Sequence, residues 1–167
     1  MPTNCSTKLA QQDVIALYRL IGEAICMIQH LEGALSVSIT LKKDAQYPRR
    51  IPKEEADRFL EEHRSITLGR AIKRAKENTL YPERLYGDLE AFLEERNWLV
   101  HKFLHEYLDN MYTSSSREKI FNRIKTVSEE AKRLRGAIEV DMLEFSESLG
   151  MDMSRIHAAI KQYSHDA

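Results

Sequence analysis

Cysteine, proline and glycine are all scarce in this chain, and each scarcity argues against a class of protein. The two cysteines, Cys5 and Cys26, have no paired spacing, so we expect neither a disulfide framework nor a thiolate zinc site. Four prolines and six glycines among 167 residues leave few places for turns. The composition therefore favours long helices over many short strands, and isolated thiols suit a reducing cytosol.

Neither a leader nor a membrane span is expected. The first residues, MPTNCSTKLAQQD, lack the basic start and apolar run of a signal peptide. Charged or polar residues interrupt the first long apolar segment, at Arg19, Glu23, His30 and Glu32. We therefore interpret that segment as a core helix. Since 43% of the residues are apolar and 31% are charged, we expect one soluble, cytoplasmic domain over residues 1–167, with residues 1–10 as a flexible tail.

Charge is nearly balanced overall but unevenly distributed. The net charge is −1, yet residues 42–76 hold eleven Lys or Arg against six Asp or Glu, and residues 117–135 hold seven against three. Residues 83–110 are acidic, with seven acids and three bases. The basic segments are either solvated helix faces or parts of an anion-binding surface, and composition alone does not choose between them.

The spacing of apolar residues predicts an all-α protein without a sheet. Apolar side chains recur at three- and four-residue steps, which is the period of an amphipathic helix. The predicted helices cover residues 11–41, 53 to 63–65, 68–77, 83–111, 117–149 and 151–163, with a loop over residues 42–52. Thr67 is placed to cap the third helix, and Gly150 to end the fifth. We expect an up-and-down helical bundle of four to five main helices plus a short C-terminal helix.

One charge lies where an apolar residue is expected, on the helix predicted over residues 83–111. At about 100° per residue, one face of this helix carries Leu85, Leu89, Phe92, Leu99, Val100, Phe103 and Tyr107. Arg96 falls in the middle of this face. Burying an unpaired guanidinium costs several kcal/mol, so we expect Arg96 to have a partner or to line a wet groove.

Asn97, His101 and His105 form a polar ridge beside the same face, and three interpretations of it are open. In the first, Arg96 is a structural ion-pair residue and His101 an ordinary flanking histidine. In the second, His101 and His105, four residues apart, bind a metal ion, although no third ligand and no HExxH pattern is evident. The third interpretation rests on a resemblance.

The segment EERNWLVH, residues 94–101, resembles the Arg-x4–6-His motif of HEPN domains. These are all-α proteins, and many are metal-independent endoribonucleases of toxin–antitoxin and antiphage systems. The resemblance implies that Arg96, Asn97 and His101 are catalytic, that no metal or cofactor is needed, and that an antitoxin protein holds the activity in check. Phe103 stands where some members have a tyrosine that receives a regulatory nucleotide, so that control is expected to be absent.

The resemblance also implies the reaction and its substrate. Metal-free RNA cleavage uses the neighbouring 2′-OH as nucleophile, which DNA lacks, so RNA is the expected substrate. Histidine shuttles a proton near neutral pH, and arginine presents several donors to phosphate oxygens. Asn97 would orient the imidazole or the substrate, and His105 would support the site. Many HEPN relatives are non-catalytic, so a helical dimer that binds protein or nucleotides through the same groove is the alternative.

Two further expectations concern Trp98 and Glu32. HEPN proteins are usually dimeric, with two motifs facing one another across a shared cleft. The helical wheel places Trp98 on the polar face of its helix, so we expect it to be exposed and to lie in the contact between two copies.

On the first helix, Glu32 is the one acid within the apolar stripe. We expect Glu32 to pair with Arg96, within one chain or across the dimer, and so to offset part of its desolvation.

Overall fold

The computed structural model describes residues 11–45, 51–110, 114–151 and 154. In these ranges the chain is helical and has no strand, which confirms the predicted all-α helical bundle. The helices are α1 (Gln11–Ile39), α2 (Lys53–Arg64), α3 (Leu68–Glu77), α4 (Glu83–Asn97), α5 (Phe103–Asn110) and α6 (Ser114–Ser148). Two π turns continue them, Thr40–Asp44 after α1 and Trp98–Lys102 between α4 and α5.

Most helix ends fall within a few residues of the predicted ones. The Thr67 hydroxyl accepts a hydrogen bond from the Arg70 amide at 3.4 Å, as expected of the residue that caps α3. α6 begins at Ser114, three residues earlier than predicted. The short helix predicted over residues 151–163 lies almost wholly outside the described residues, and the tail over residues 1–10 lies entirely outside them.

The loop predicted over residues 42–52 begins later than expected, and its middle lies outside the described residues. α1 continues into the π turn Thr40–Asp44. The contacts of Lys42 explain why the helical structure continues, because its Nζ donates to Asp141 Oδ2 at 2.7 Å and to the Leu80 carbonyl. An ammonium with only 10% of its side chain exposed needs such partners. Tertiary contacts therefore keep helical a segment whose local sequence indicates a loop.

Close contacts divide the chain into two compact units. The first comprises Met1–Gly33 and Pro82–Arg135, and the second comprises Ala34–Tyr81 and Gly136–Ala167. The core of the first contains Leu17, Ala24, Ile28, Leu31, Tyr86, Leu89, Phe92, Leu99, Ile124, Val127, Ala131 and Leu134. The core of the second contains Leu35, Ile39, Leu68, Ala71, Ile72, Ala75, Tyr81 and Ile138. The single domain expected over residues 1–167 stays a prediction.

A buried histidine organises polar groups of the second unit. His63, which is 2% exposed, lies with Nε2 2.7 Å from Asp44 Oδ2 and with Nδ1 2.9 Å from an Arg74 guanidinium nitrogen. Because a guanidinium can only donate, Nδ1 accepts and Nε2–H donates to the carboxylate. Burial by itself raises the pKa of Asp44, but hydrogen bonds from Lys43 and His63 outweigh it and hold that pKa below its usual value. These contacts join α2 and α3 to the π turn that follows α1.

One helical segment is long and apolar enough to cross a membrane. Within Gln11–Asp44, an 18-residue window has a mean hydropathy of 1.4, and 22% of that window is buried. The core helix of a soluble protein meets the same criterion. The interpretation of α1 as a core helix therefore stays a prediction.

Candidate functional site

The motif residues lie around the π turn Trp98–Lys102, where a single uninterrupted helix was predicted. The Phe103 amide donates to the Trp98 carbonyl, five residues earlier, instead of four. The extra residue rotates everything after the turn by about 100° relative to a continuous α-helix. On such a helix Arg96 and His101, five residues apart, would lie roughly 140° apart. His101 lies inside the π turn, where successive residues rotate by less than 100°, so the angle between these two positions is smaller than on a continuous α-helix.

The π turn also corrects the predicted apolar face. Leu89, Phe92, Leu99, Phe103 and Tyr107 are buried, as predicted. Val100, which was expected to be buried, is 42% exposed, because it lies inside the π turn, where a spacing of 100° per residue does not hold. Trp98, which was expected to be exposed, is 3% exposed, so it is not a surface for a second copy of the chain.

Arg96 meets Glu32, as predicted. Its guanidinium Nη2 lies 3.5 Å from Glu32 Oε1, and the two side chains are 24% and 32% exposed. At this distance the contact is an ion pair, longer than a close charge-assisted hydrogen bond. Arg96 Nε is buried and makes no hydrogen bond to another described residue. The Arg96 guanidinium is therefore held by the Glu32 carboxylate.

The other predicted site residues are more accessible. His101 and His105 are exposed and Asn97 is half-buried. No hydrogen bond or ion pair joins the Arg96 and His101 side chains in the part of the chain that the structure describes. In that part there is also no group of three or more His, Cys, Asp or Glu side chains that could hold a metal ion. The metal interpretation of His101 and His105 therefore lacks a third ligand there.

Trp98 is surrounded by charged groups that the sequence did not reveal. Its indole N–H donates to Glu106 Oε2 at 2.7 Å. The Arg123 guanidinium of α6 lies over the ring, 3.7 Å from its centroid. Arg123 also donates to both carboxylate oxygens of Glu95, at 2.8 and 3.0 Å, and this hydrogen bonding raises its pKa. Helical periodicity does not mark Arg123 as a neighbour of Trp98, because the two residues are far apart in sequence.

Arginines of α6 offset part of the acidity of residues 83–110. Besides Glu95, Arg123 lies 3.7 Å from Glu106. Arg133 lies 2.8 Å from Asp88 on α4. Glu95, Glu106 and Asp88 of the acidic segment therefore each face a guanidinium from the basic segment 117–135. Ion pairs of this kind reduce the repulsion that a polyanion would meet at this surface.

Two open clefts lie in the first unit. A cleft of about 320 Å³ is lined by Trp98, Glu106, Ser116, Lys119, Ile120 and Arg123. A second, of about 480 Å³, is lined by Ala16, Arg19, Leu20, Glu23, Phe121, Lys125, Ser128 and Glu129. Neither of these two clefts includes Arg96 or His101, so the candidate site lies on a helix surface outside them.

Comparison with known proteins adds no relative. No protein-family model, no curated protein and no solved structure matches this chain.

Proposed function

We propose that the chain is a HEPN-like, metal-independent endoribonuclease that acts as the effector of a toxin–antitoxin or antiphage system. One observation carries the proposal. A half-buried arginine held by a carboxylate precedes an exposed histidine by five residues, and the histidine lies inside a π turn. π turns in helices are frequently found at functional sites, because they change the direction of side chains without ending the helix.

The proposed reaction needs no group beyond these side chains and the RNA itself. His101 accepts the proton of a ribose 2′-OH, the 2′ oxygen forms a bond to the adjacent phosphorus, and the bond from phosphorus to the 5′ oxygen breaks. The leaving 5′ oxygen takes a proton from the imidazolium or from water. Arg96 donates to the phosphate oxygens, whose negative charge grows in the transition state. The products carry a 2′,3′-cyclic phosphate and a 5′-OH.

The surroundings of the two residues support these roles. Glu32 keeps Arg96 in one orientation and reduces the cost of burying part of it. The exposure of His101 leaves its imidazole accessible to a large substrate. Asn97, half-buried on the preceding turn, is proposed to orient the imidazole or the phosphate, and the exposed His105 to bind the flanking backbone.

The proposal extends to partners and compartment on the same basis. We propose a cytoplasmic homodimer in which two motifs share a cleft, with an antitoxin protein as inhibitor. A second Arg96 and His101 pair would surround the scissile phosphate from the other side and give the exposed motif surface a partly enclosed site.

The deciding experiment is cleavage of a mixed RNA pool in EDTA. We expect the wild-type chain to cleave, and Arg96→Ala and His101→Ala each to lose about a hundredfold or more in rate. Matched controls are Arg84→Ala, another arginine of α4, and His30→Ala, another exposed histidine; both should cleave at the wild-type rate. Equal cleavage by His101→Ala and wild type would refute the assignment. RNA binding without cleavage would instead favour a non-catalytic binding module, and loss of all activity in EDTA would favour metal chemistry.

A further inference from the structure

The Trp98 cluster, which consists of Trp98, Phe103, Glu106 and Arg123, lies at the π turn between α4 and α5. We infer that this cluster is a positioning device: it holds the π turn and thereby the placement of His101 relative to Arg96. The catalytic half of this inference rests on the proposed function, whereas its structural half does not. A turn with one extra residue needs interactions that a continuous α-helix would not provide, because the α-helix is the ordinary continuation of both flanking segments.

Two contacts in the cluster are favoured by the helix register that the π turn creates. Trp98 and Glu106 are eight residues apart, which corresponds to about 80° around a continuous α-helix but to about 20° when one residue is absorbed in the turn. Trp98 and Phe103 are five apart, and the same change reduces roughly 140° to roughly 40°. In the structure the indole N–H lies 2.7 Å from Glu106, and the Trp98 and Phe103 rings meet edge to face with centroids 5.9 Å apart.

The indole is fixed on its polar edge and on one face. Trp98 is 3% exposed, so its N–H needs an acceptor, which Glu106 supplies. Arg123 lies over the ring and also approaches Glu106. A guanidinium over a largely desolvated indole adds a cation–π attraction to the ion pairs. Arg123 of α6 thus contacts Trp98, where the π turn begins, and Glu106, which fixes the helix register after the turn.

Relaxation of the turn to an α-helix would break these contacts together. Residues after the turn would rotate by about 100°, which would remove Phe103 and Tyr107 from their buried positions. His101, which lies inside the turn, would change its direction relative to Arg96. The cluster therefore connects Arg123 of α6 to the geometry of the motif.

The test compares Glu106→Ala with Glu106→Gln, which keeps an acceptor for the indole, and with Glu94→Ala, an exposed glutamate of α4, as control. Hydrogen exchange of the Phe103 amide, which donates across the π turn, reports the turn directly. We expect this amide to exchange about tenfold faster or more in Glu106→Ala, at the wild-type rate in Glu94→Ala, and at an intermediate rate in Glu106→Gln. Trp98→Phe, which removes the indole N–H together with part of the buried ring system, should speed the exchange at least as much as Glu106→Ala.

The second readout separates positioning from simple stability. Because Arg96 and the surface that meets the RNA remain, we expect kcat for RNA cleavage to fall about tenfold in Glu106→Ala, with KM almost unchanged and partial recovery in Glu106→Gln. Unchanged exchange at Phe103 in Glu106→Ala and Trp98→Phe, or a fall in kcat no larger than in Glu94→Ala, would overturn the inference. If the wild-type chain does not cleave RNA, the proposed function fails. Hydrogen exchange at the Phe103 amide and the imidazole NMR shifts of His101 in the same variants then still decide whether the cluster holds the π turn.

Discussion

The Glu32 carboxylate of α1 lies 3.5 Å from the Arg96 guanidinium of α4, so the two apolar faces carry opposite charges that meet. Each of the two charged residues interrupts a stripe of apolar residues on its own helix. The pair explains how the first unit accommodates an arginine beside its core. It also leaves the Arg96 side chain partly exposed, at 24%, which a purely structural ion pair does not require.

A double-mutant cycle measures this pair. Glu32→Gln and Arg96→Gln should each reduce the free energy of unfolding, and the double variant should lose less than the sum by roughly 1 kcal/mol. Urea denaturation of the four proteins gives the coupling energy. The matched cycle with Glu23→Gln, an exposed glutamate on the polar side of α1, should be additive. Additivity in both cycles would mean that the two charges do not interact in solution.

Asp44 predicts a pH dependence of stability in the second unit. Its folded-state pKa lies below the ordinary 3.8, so its contribution is fully present above that pH and is lost as the pH falls through the folded-state pKa. At pH 7 we expect Asp44→Asn to unfold more easily than wild type by roughly 1–3 kcal/mol, because His63 and Lys43 lose an anionic partner. Urea denaturation from pH 7 downwards should show that the difference in free energy of unfolding between wild type and Asp44→Asn becomes smaller below about pH 4. Asp57→Asn, at an exposed position of α2, should show no such difference.

The proposed chemistry predicts a requirement for one hydroxyl group. An RNA oligonucleotide that carries a single 2′-deoxynucleotide immediately 5′ to the cleavage site should not be cut there, because the nucleophile is missing. Cleavage at neighbouring sites should continue. Mass spectrometry of the products of the all-ribose oligonucleotide should find a 2′,3′-cyclic phosphate. Cleavage beside the deoxynucleotide would rule out attack by the 2′-OH.

The proposed homodimer predicts a mass of two chains by light scattering, independent of concentration. Trp98→Phe should leave this mass unchanged, because the side chain is 3% exposed and packs inside its own chain. A mass of one chain at all concentrations would contradict the dimer. A mass that falls to one chain in Trp98→Phe would contradict the intramolecular packing of the indole.

Local sequence predicted the parts of the fold that local interactions determine. α2 and α3 start and end close to the predicted residues, because prolines, the Thr67 cap and a regular apolar period act over a few residues. The pairing of Glu32 with Arg96 was also predictable, since each charge interrupts an apolar face and the signs are opposite. A regular period was sufficient for both.

The π turn was not predictable in this way, and the errors at the site follow from it. A helical wheel assumes the same rotation at every residue, so it misplaced Val100 within the turn and Trp98 at its start. The burial of Trp98 depends on Arg123 and Glu106, whose approach is decided by the packing of α6. No periodicity within residues 83–111 contains that information.

Trp98 is the only tryptophan of the chain, and it lies at the first residue of the π turn. When the protein is excited beyond the absorption band of tyrosine, its emission therefore arises from an indole whose environment is set by a carboxylate on its N–H and a guanidinium over its ring. The colour and quenching of that emission depend on these two charges, so the unmodified molecule carries an optical probe at the turn. Stopped-flow mixing with RNA can follow events at the motif in real time, without a dye, a label or an engineered residue.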